Sequence, residues 1–287
     1  MKKTILFLLA ATCIFVSCTD KQTKKEITSH QAATDFNNNY IKPLKQENDR
    51  KLADFVNNLT LEQKVSQLFI ENLEGNKTFR SYETVGDMNG TDDETPLIAG
   101  GYLYFSYNIG DTAEQMKDYN QSVFDYCEKY NQIPPFLAVD QEGGLVSRLK
   151  KLSPELPSNE EVAENYSVAQ AYDLYKKQAI SMADLGFHMN IAPVIEVCTD
   201  DNREFLDGRS FGDSDKVLNY GRACVNAYEN NGIATVVKHF PGNTNTDPHL
   251  GLPVIKLSEQ ELEITLKPFI EVLDYNPEAV LMSHAIT

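Results

Sequence analysis

Short apolar runs rich in Val, Ile, Leu and Tyr alternate along this chain with longer stretches whose apolar residues recur every three or four positions. The short runs at 65–70, 98–107, 135–139, 189–197, 234–238 and 279–283 read as buried strands, and the amphipathic stretches at 112–130, 159–185, 213–231 and 258–273 read as helices. Ser258 with Glu261 three residues on is a capping box that opens the last of these helices. Such alternation predicts a parallel sheet, because each strand must be carried back over the sheet before the next can lie beside it. The expected closure is an α/β fold of the TIM-type (β/α)8 barrel class, with about six βα units visible. A doubly wound open sheet is the alternative, but no glycine-rich phosphate loop follows the early strands, and Gly143-Gly144 is too little to count as one.

Polar residues gather just past the predicted strand ends: Asp140 and Glu142, Glu196, Lys238 and His239, and His284. In parallel α/β folds ligands bind at the carboxyl ends of the strands, so these positions converge on one face. His188 precedes its strand instead and takes a structural reading. The densest string is Lys238-His239-Phe240-Pro241-Gly242, followed one short loop later by Asp247-Pro248-His249. For the second tripeptide the plain alternative is a solvated turn with a helix-capping Asp.

KHFPG, then DPH, then GLP resembles the signature of bacterial β-N-acetylglucosaminidases of glycoside hydrolase family 3, which usually runs KHFPGHG, a few residues, then DSH. Asn243 stands where the second His of that loop is expected and the loop is shorter, but the Asp-x-His pair is retained. Asp140-Gln141-Glu142-Gly143-Gly144 with Arg148 resembles the family's DQEGGRVxR, with Leu145 in place of the first Arg, and Arg209-Ser210-Phe211-Gly212 resembles a further family string. The resemblance implies a retaining hydrolase that removes terminal β-linked N-acetylglucosamine from glycans or peptidoglycan fragments. Asp140, Arg148, Arg209, Lys238 and His239 would then hold the sugar, and no metal or organic cofactor is implied. A carboxylate at a strand end suits this task, since it accepts two or more hydrogen bonds from hydroxyls. An Asp140–Arg148 ion pair beneath the loop, and an Arg209 stapled to local carbonyls or to Asp207, are the structural alternatives.

Residues at i and i+2 of an extended segment point the same way, and Pro248 biases Asp247 toward that conformation. Asp247 and His249 can therefore sit side by side, the carboxylate fixing the tautomer of the imidazole and stabilising its protonated form. His249 is the expected general acid/base and Asp247 its orienting partner. A retaining enzyme also requires a carboxylate nucleophile. The family places it on a later strand, and no Asp in these residues matches its motif, so the chain reads as a fragment that stops before it. A catalytically inactive carbohydrate-binding lipoprotein, a related family 3 β-glycosidase and a phosphorylase are the competing functions.

A net charge of −16 argues against nucleic acid and against electrostatic attraction to an anionic membrane, and leaves neutral or amino sugars as partners. Lys2-Lys3, an apolar run from Ile5 to Val16 and then Ser17-Cys18 read as an export signal, since a membrane-spanning helix needs about 20 apolar residues. Phe15-Val16-Ser17-Cys18 resembles a bacterial lipobox, which implies a lipidated Cys18 and a protein anchored in the cell envelope. A plain secretory signal is the alternative. Residues 19–48, polar and poor in large apolar groups, read as a flexible tether, and 49–287 as one incomplete barrel domain. Beyond the signal, Cys127, Cys198 and Cys224 are odd in number and widely spaced, with neither a disulfide framework nor a metal-ligand pattern.

Overall fold

The computed structural model describes residues 42–73, 79, 96–248 and 250–286; the predicted signal with Cys18, most of the predicted tether and His249 lie outside them. The chain divides after Asn58 into two units. In the first, helix α1 (Lys42–Asn57) begins inside the stretch expected to be a tether, so residues 42–48 are helical.

The second unit opens with α2 (Leu61–Ser66) and β1 (Ile70–Asn72), then continues with β2 (Gly101–Tyr104), α3 (Ala113–Lys129) and β3 (Phe136–Val139). A hairpin of β4 (Gln141–Gly143) and β5 (Val146–Ser147) follows, then α4 (Asn159–Asn165), α5 (Val168–Asp184) and β6 (Met189–Asn190). The short α6 (Arg203–Leu206), α7 (Ser214–Glu229), β7 (Ala234–Phe240), α8 (Glu259–Val272) and β8 (Ala279–Met282) complete it. Six strands lie in the order β1-β2-β3-β6-β7-β8, every neighbour parallel, as expected of consecutive units of a β/α barrel.

Alternation within the strands separates two apolar layers. Leu137 and Val139 of β3 and Val237 of β7 face the helices and join the large core with Met116, Val123, Tyr175 and Phe187. Their neighbours Ala138 and Val236 point the other way and pack with Met189 and Ile191 in a smaller cluster inside the curl of the sheet. Truncating a fully buried residue such as Leu137 to Ala would cost about 2–5 kcal/mol.

Three expectations are corrected. The run at 65–70 does not begin as a strand. Thr60 caps the N–H of Gln63 at 3.2 Å and the Gln63 side chain returns to the Thr60 N–H at 3.0 Å, a capping box that commits Leu61–Ser66 to helix. The long helix at 159–185 is two helices, because Ser167 caps a new start with Gln170 as its return partner. The strand at 189–197 pairs regularly only over Met189–Asn190. Pro193 has no N–H to donate, and beyond it the chain rejoins the sheet through Ile195, whose N–H donates to the Lys238 carbonyl at 2.8 Å.

Candidate active site

Asp140 leaves β3 at its carboxyl end, and Gln141 fixes the turn that follows. Its backbone N–H donates to Asn190 Oδ1 and its carbonyl accepts from Asn190 Nδ2, both at 3.0 Å, so the buried end of β6 clamps the exit of β3. The Gln141 side chain donates to Ser147 Oγ and accepts from the Leu149 N–H, each at 2.9 Å, closing the hairpin. Gly143 makes this loop possible: its φ is +102°, and a Cβ there would lie 2.2 Å from the Pro157 carbonyl. The result aims Asp140 and Glu142 at the end of β7.

Lys238 receives them. Its Nζ lies 2.6 Å from Asp140 Oδ1 and 2.7 Å from Glu142 Oε1, with the lysine and Glu142 side chains almost fully buried. Arg209, from the loop after α6, closes on Glu142 with two parallel bonds, Nε to Oε2 at 2.8 Å and Nη2 to Oε1 at 2.9 Å. Two cations and two carboxylates thus form one network, which the low interior dielectric requires of buried charges. Burial by itself would raise the Glu142 carboxyl; the charge of Lys238 and the bonds from Arg209 outweigh it and hold the group at about 2. Burial works against the charged form of Arg209 too, and its bonds to Glu142 overcome that and raise it.

Beside this network, the buried Glu196 collects the other half of the β7 end. His239 Nδ1 lies 2.6 Å from Glu196 Oε1, Asn243 Nδ2 donates to the same oxygen at 2.8 Å, and the Asn243 N–H donates to Oε2 at 2.6 Å. Ser210 Oγ donates to the Glu196 carbonyl at 2.6 Å, which ties the Arg209 loop to the segment that carries Glu196.

Asp140, Arg209, Lys238 and His239 are therefore brought together through Glu142 and Glu196. Arg148 makes no ion pair with Asp140; its Nη1 approaches Ser106 Oγ at 3.5 Å and its backbone N–H donates to the Asp140 carbonyl at 3.4 Å. Arg209 is bound to neither Asp207 nor local carbonyls through its side chain, but to Glu142, 67 positions away. The Asp247 carbonyl accepts from the N–H groups of Leu250 at 3.0 Å and Gly251 at 2.9 Å, and His249 lies outside the described residues. His284 is exposed, whereas His188 lies against the Leu137 N–H at 3.4 Å and the edge of Phe124, and burial lowers its pKa. A cavity of about 500 Å³ adjoins the site between the loops after β6 and β7 and residues 252–257. Glu196 and Asn243 line it, but Asp140, Lys238, His239 and Arg209 do not. The charge network rather than the larger hollow is the chemically equipped place. Glu142 and Glu196 carried a sequence signal, an acid past a strand end, without any indication of a partner; Asn190 carried none.

Residues 60–287 match the family described as glycosyl hydrolase family 3 N terminal domain. The chain is 30% identical over 198 residues to β-hexosaminidase A of Pseudoalteromonas piscicida, which covers 64% of this chain and 32% of that protein. It is 31% identical over 156 residues to β-hexosaminidase LpqI of Mycobacterium tuberculosis, covering 53% of this chain and 40% of the relative. Among solved structures, a glycoside hydrolase family 3 β-N-acetylglucosaminidase from Paenibacillus sp. aligns with a TM-score of 0.68 at 27% identity, over 79% of this chain and 42% of that one. The chain spans less than half the length of each of these three proteins.

Proposed function

Because the chain belongs to glycoside hydrolase family 3 through residues 60–287, we propose that it forms the sugar-binding face and the acid/base loop of a retaining β-N-acetylhexosaminidase acting on terminal β-linked N-acetylglucosamine. The observation that carries this reading is Lys238 on β7 held at 2.6 Å and 2.7 Å from Asp140 and Glu142, which follow β3 two strands away. Asp140, partly exposed, accepts hydrogen bonds from sugar hydroxyls, while Lys238 and Arg209 supply donors whose positions Glu142 fixes. Arg148 reaches the same face beside Ser106.

His249, oriented by Asp247, protonates the glycosidic oxygen as the bond to the anomeric carbon breaks, and a family carboxylate takes that carbon as a glycosyl ester. His249 then removes a proton from water as it attacks the ester, which restores both groups. The hydrophobic N-terminal run and Cys18 extend the reading to an exported, lipid-anchored protein of the bacterial cell envelope, whose partner is a small carbohydrate.

Saturation-transfer NMR of the purified protein with N-acetylglucosamine and with glucose tests the binding half of this reading. Transfer to N-acetylglucosamine that Asp140→Asn abolishes is expected, with little transfer to glucose. Equal transfer to both sugars, unaffected by Asp140→Asn, would refute it.

A further inference from the structure

Glu196 has no part in the reaction steps above, yet its side chain is only 1% exposed. Among the described residues its side-chain partners come from the end of β7 and the loop that follows: His239 Nδ1, the Asn243 amide and the Asn243 backbone N–H, at 2.6–2.8 Å. We propose that Glu196 is a positioning residue that holds His239 in the tautomer protonated at Nδ1, so that Nε2 meets the substrate as the acceptor of a sugar hydroxyl hydrogen. What Nε2 meets rests on the sugar-binding reading; the tautomer rests on what surrounds Glu196.

The proton belongs on the imidazole for two reasons. Both oxygens of Glu196 already accept N–H groups of Asn243, and hydrogen bonds donated to a carboxylate favour its charged form. Arg209 is close enough that the negative charge of Glu196 stabilises the guanidinium. An ionised carboxylate can only accept, so the short contact at Nδ1 requires a hydrogen there.

Nε2 lies on the opposite edge of the ring from Glu196, and the His239 side chain is 17% exposed, so one part of it reaches solvent. Its neighbours in the site divide the other roles. Lys238 and Arg209 can only donate, Asp140 can only accept when ionised, and His239 adds a second, uncharged acceptor. A ligand group at Nε2 must therefore be a hydroxyl or an N–H. Asn243, the departure from the family's usual His, belongs to the same device, because its amide and backbone N–H groups bind both oxygens of Glu196 and anchor the loop that leads to Asp247. An amide cannot titrate, so it never competes with His239 for the proton.

Long-range ¹H–¹⁵N spectra of the ¹⁵N-histidine-labelled protein read the tautomer directly, with His239 assigned by the signal lost in His239→Gln. Free histidine side chains favour the Nε2–H form, so an Nδ1–H signal is diagnostic. At neutral pH Nδ1 should carry the proton and Nε2 should not. In Glu196→Ala the two tautomers should mix and N-acetylglucosamine should bind roughly tenfold more weakly, the loss of one well-placed hydrogen bond. An Nε2–H signal with a bare Nδ1 in the unmodified protein would overturn the inference, as would an unchanged His239 spectrum in a folded Glu196→Ala. Should that variant fail to fold, the unmodified protein's spectrum still decides the tautomer. Nδ1–H without any sugar binding would leave Glu196 in its role and remove the sugar-binding reading; sugar binding with Nε2–H would do the reverse.

Discussion

Lys238 Nζ lies 2.7 Å from Glu142 Oε1 with both side chains closed off from solvent, and Arg209 grips the same carboxylate from the loop after α6. One buried acid thereby sets the distance between two cations that face the site. Neither cation could be kept there alone, since an unpaired charge in the interior costs several kcal/mol.

Acid should expose this dependence. The Glu142 carboxyl is held at about 2, below its ordinary 4.5, so the folded protein takes up that proton less readily than the unfolded chain. The stabilisation is complete above the ordinary value and drains away as pH falls from 4.5 toward 2, an effect on the order of 3 kcal/mol. Glu142→Gln should lower stability at neutral pH by about 3–5 kcal/mol, because Lys238 and Arg209 lose their shared counter-charge. It should also flatten the acid limb of the stability curve. Urea denaturation of both proteins across that pH range checks this, and parallel curves would contradict it.

Asp140 sits at the open edge of the same network. Asp140→Asn keeps the shape of the side chain and leaves Glu142 to hold Lys238, so N-acetylglucosamine affinity should fall roughly tenfold or more while stability changes much less. Arg148→Ala should behave alike, since its side chain joins no ion pair among the described residues and its closest polar contact is Ser106 Oγ at 3.5 Å. Calorimetric titration and thermal melts separate the two effects; a loss of stability as large as that of Glu142→Gln would make either residue structural.

Gly143→Ala tests the hairpin that aims the acids. A Cβ would lie 2.2 Å from the Pro157 carbonyl, in a backbone conformation with φ +102° that side-chain-bearing residues rarely adopt. Destabilisation of about 3 kcal/mol or more is expected, together with loss of sugar binding. A soluble, fully binding variant would show that the loop is not held as described.

Turnover tests the acid/base pair, in protein that includes the nucleophile strand expected from the family resemblance. His249→Ala should slow hydrolysis of an alkyl β-N-acetylglucosaminide by about 10²–10⁴-fold and that of an activated aryl glycoside by less, because only the poor leaving group needs a proton. Asp247→Ala should give a smaller defect of the same kind. Equal losses on both substrates would remove His249 from leaving-group protonation.

Cell fractionation tests Cys18. Cys18→Ser should move the protein from the membrane fraction to the soluble exported fraction, since the apolar run before it is too short to anchor as a span. Unchanged membrane association would rule out the lipidated cysteine.

Periodicity and capping are local properties, and they determined most of the order of elements before any tertiary contact was known. The helix caps at Ser258 and Glu261, the β-branched run ahead of Lys238 and the apolar run ahead of Asp140 were all legible. So was the convergence of Asp140, Lys238 and His239, because parallel strands must place their carboxyl ends on one side. Thr60 and Gln63 carried an equally local signal, outweighed in the sequence by the apolar run beside them. The partners were not legible. Asp140 meets Lys238 across 98 positions and Arg209 meets Glu142 across 67, and no local pattern specifies either distance. Those contacts follow from strand register, which packing on both faces of the sheet decides: Val139 opposite Asn190, and Val194 bridged to Lys238. Only the folded sheet turns Glu142 and Glu196 from two acids in a row of strand-end residues into the counter-charges on which Lys238, Arg209 and His239 are set.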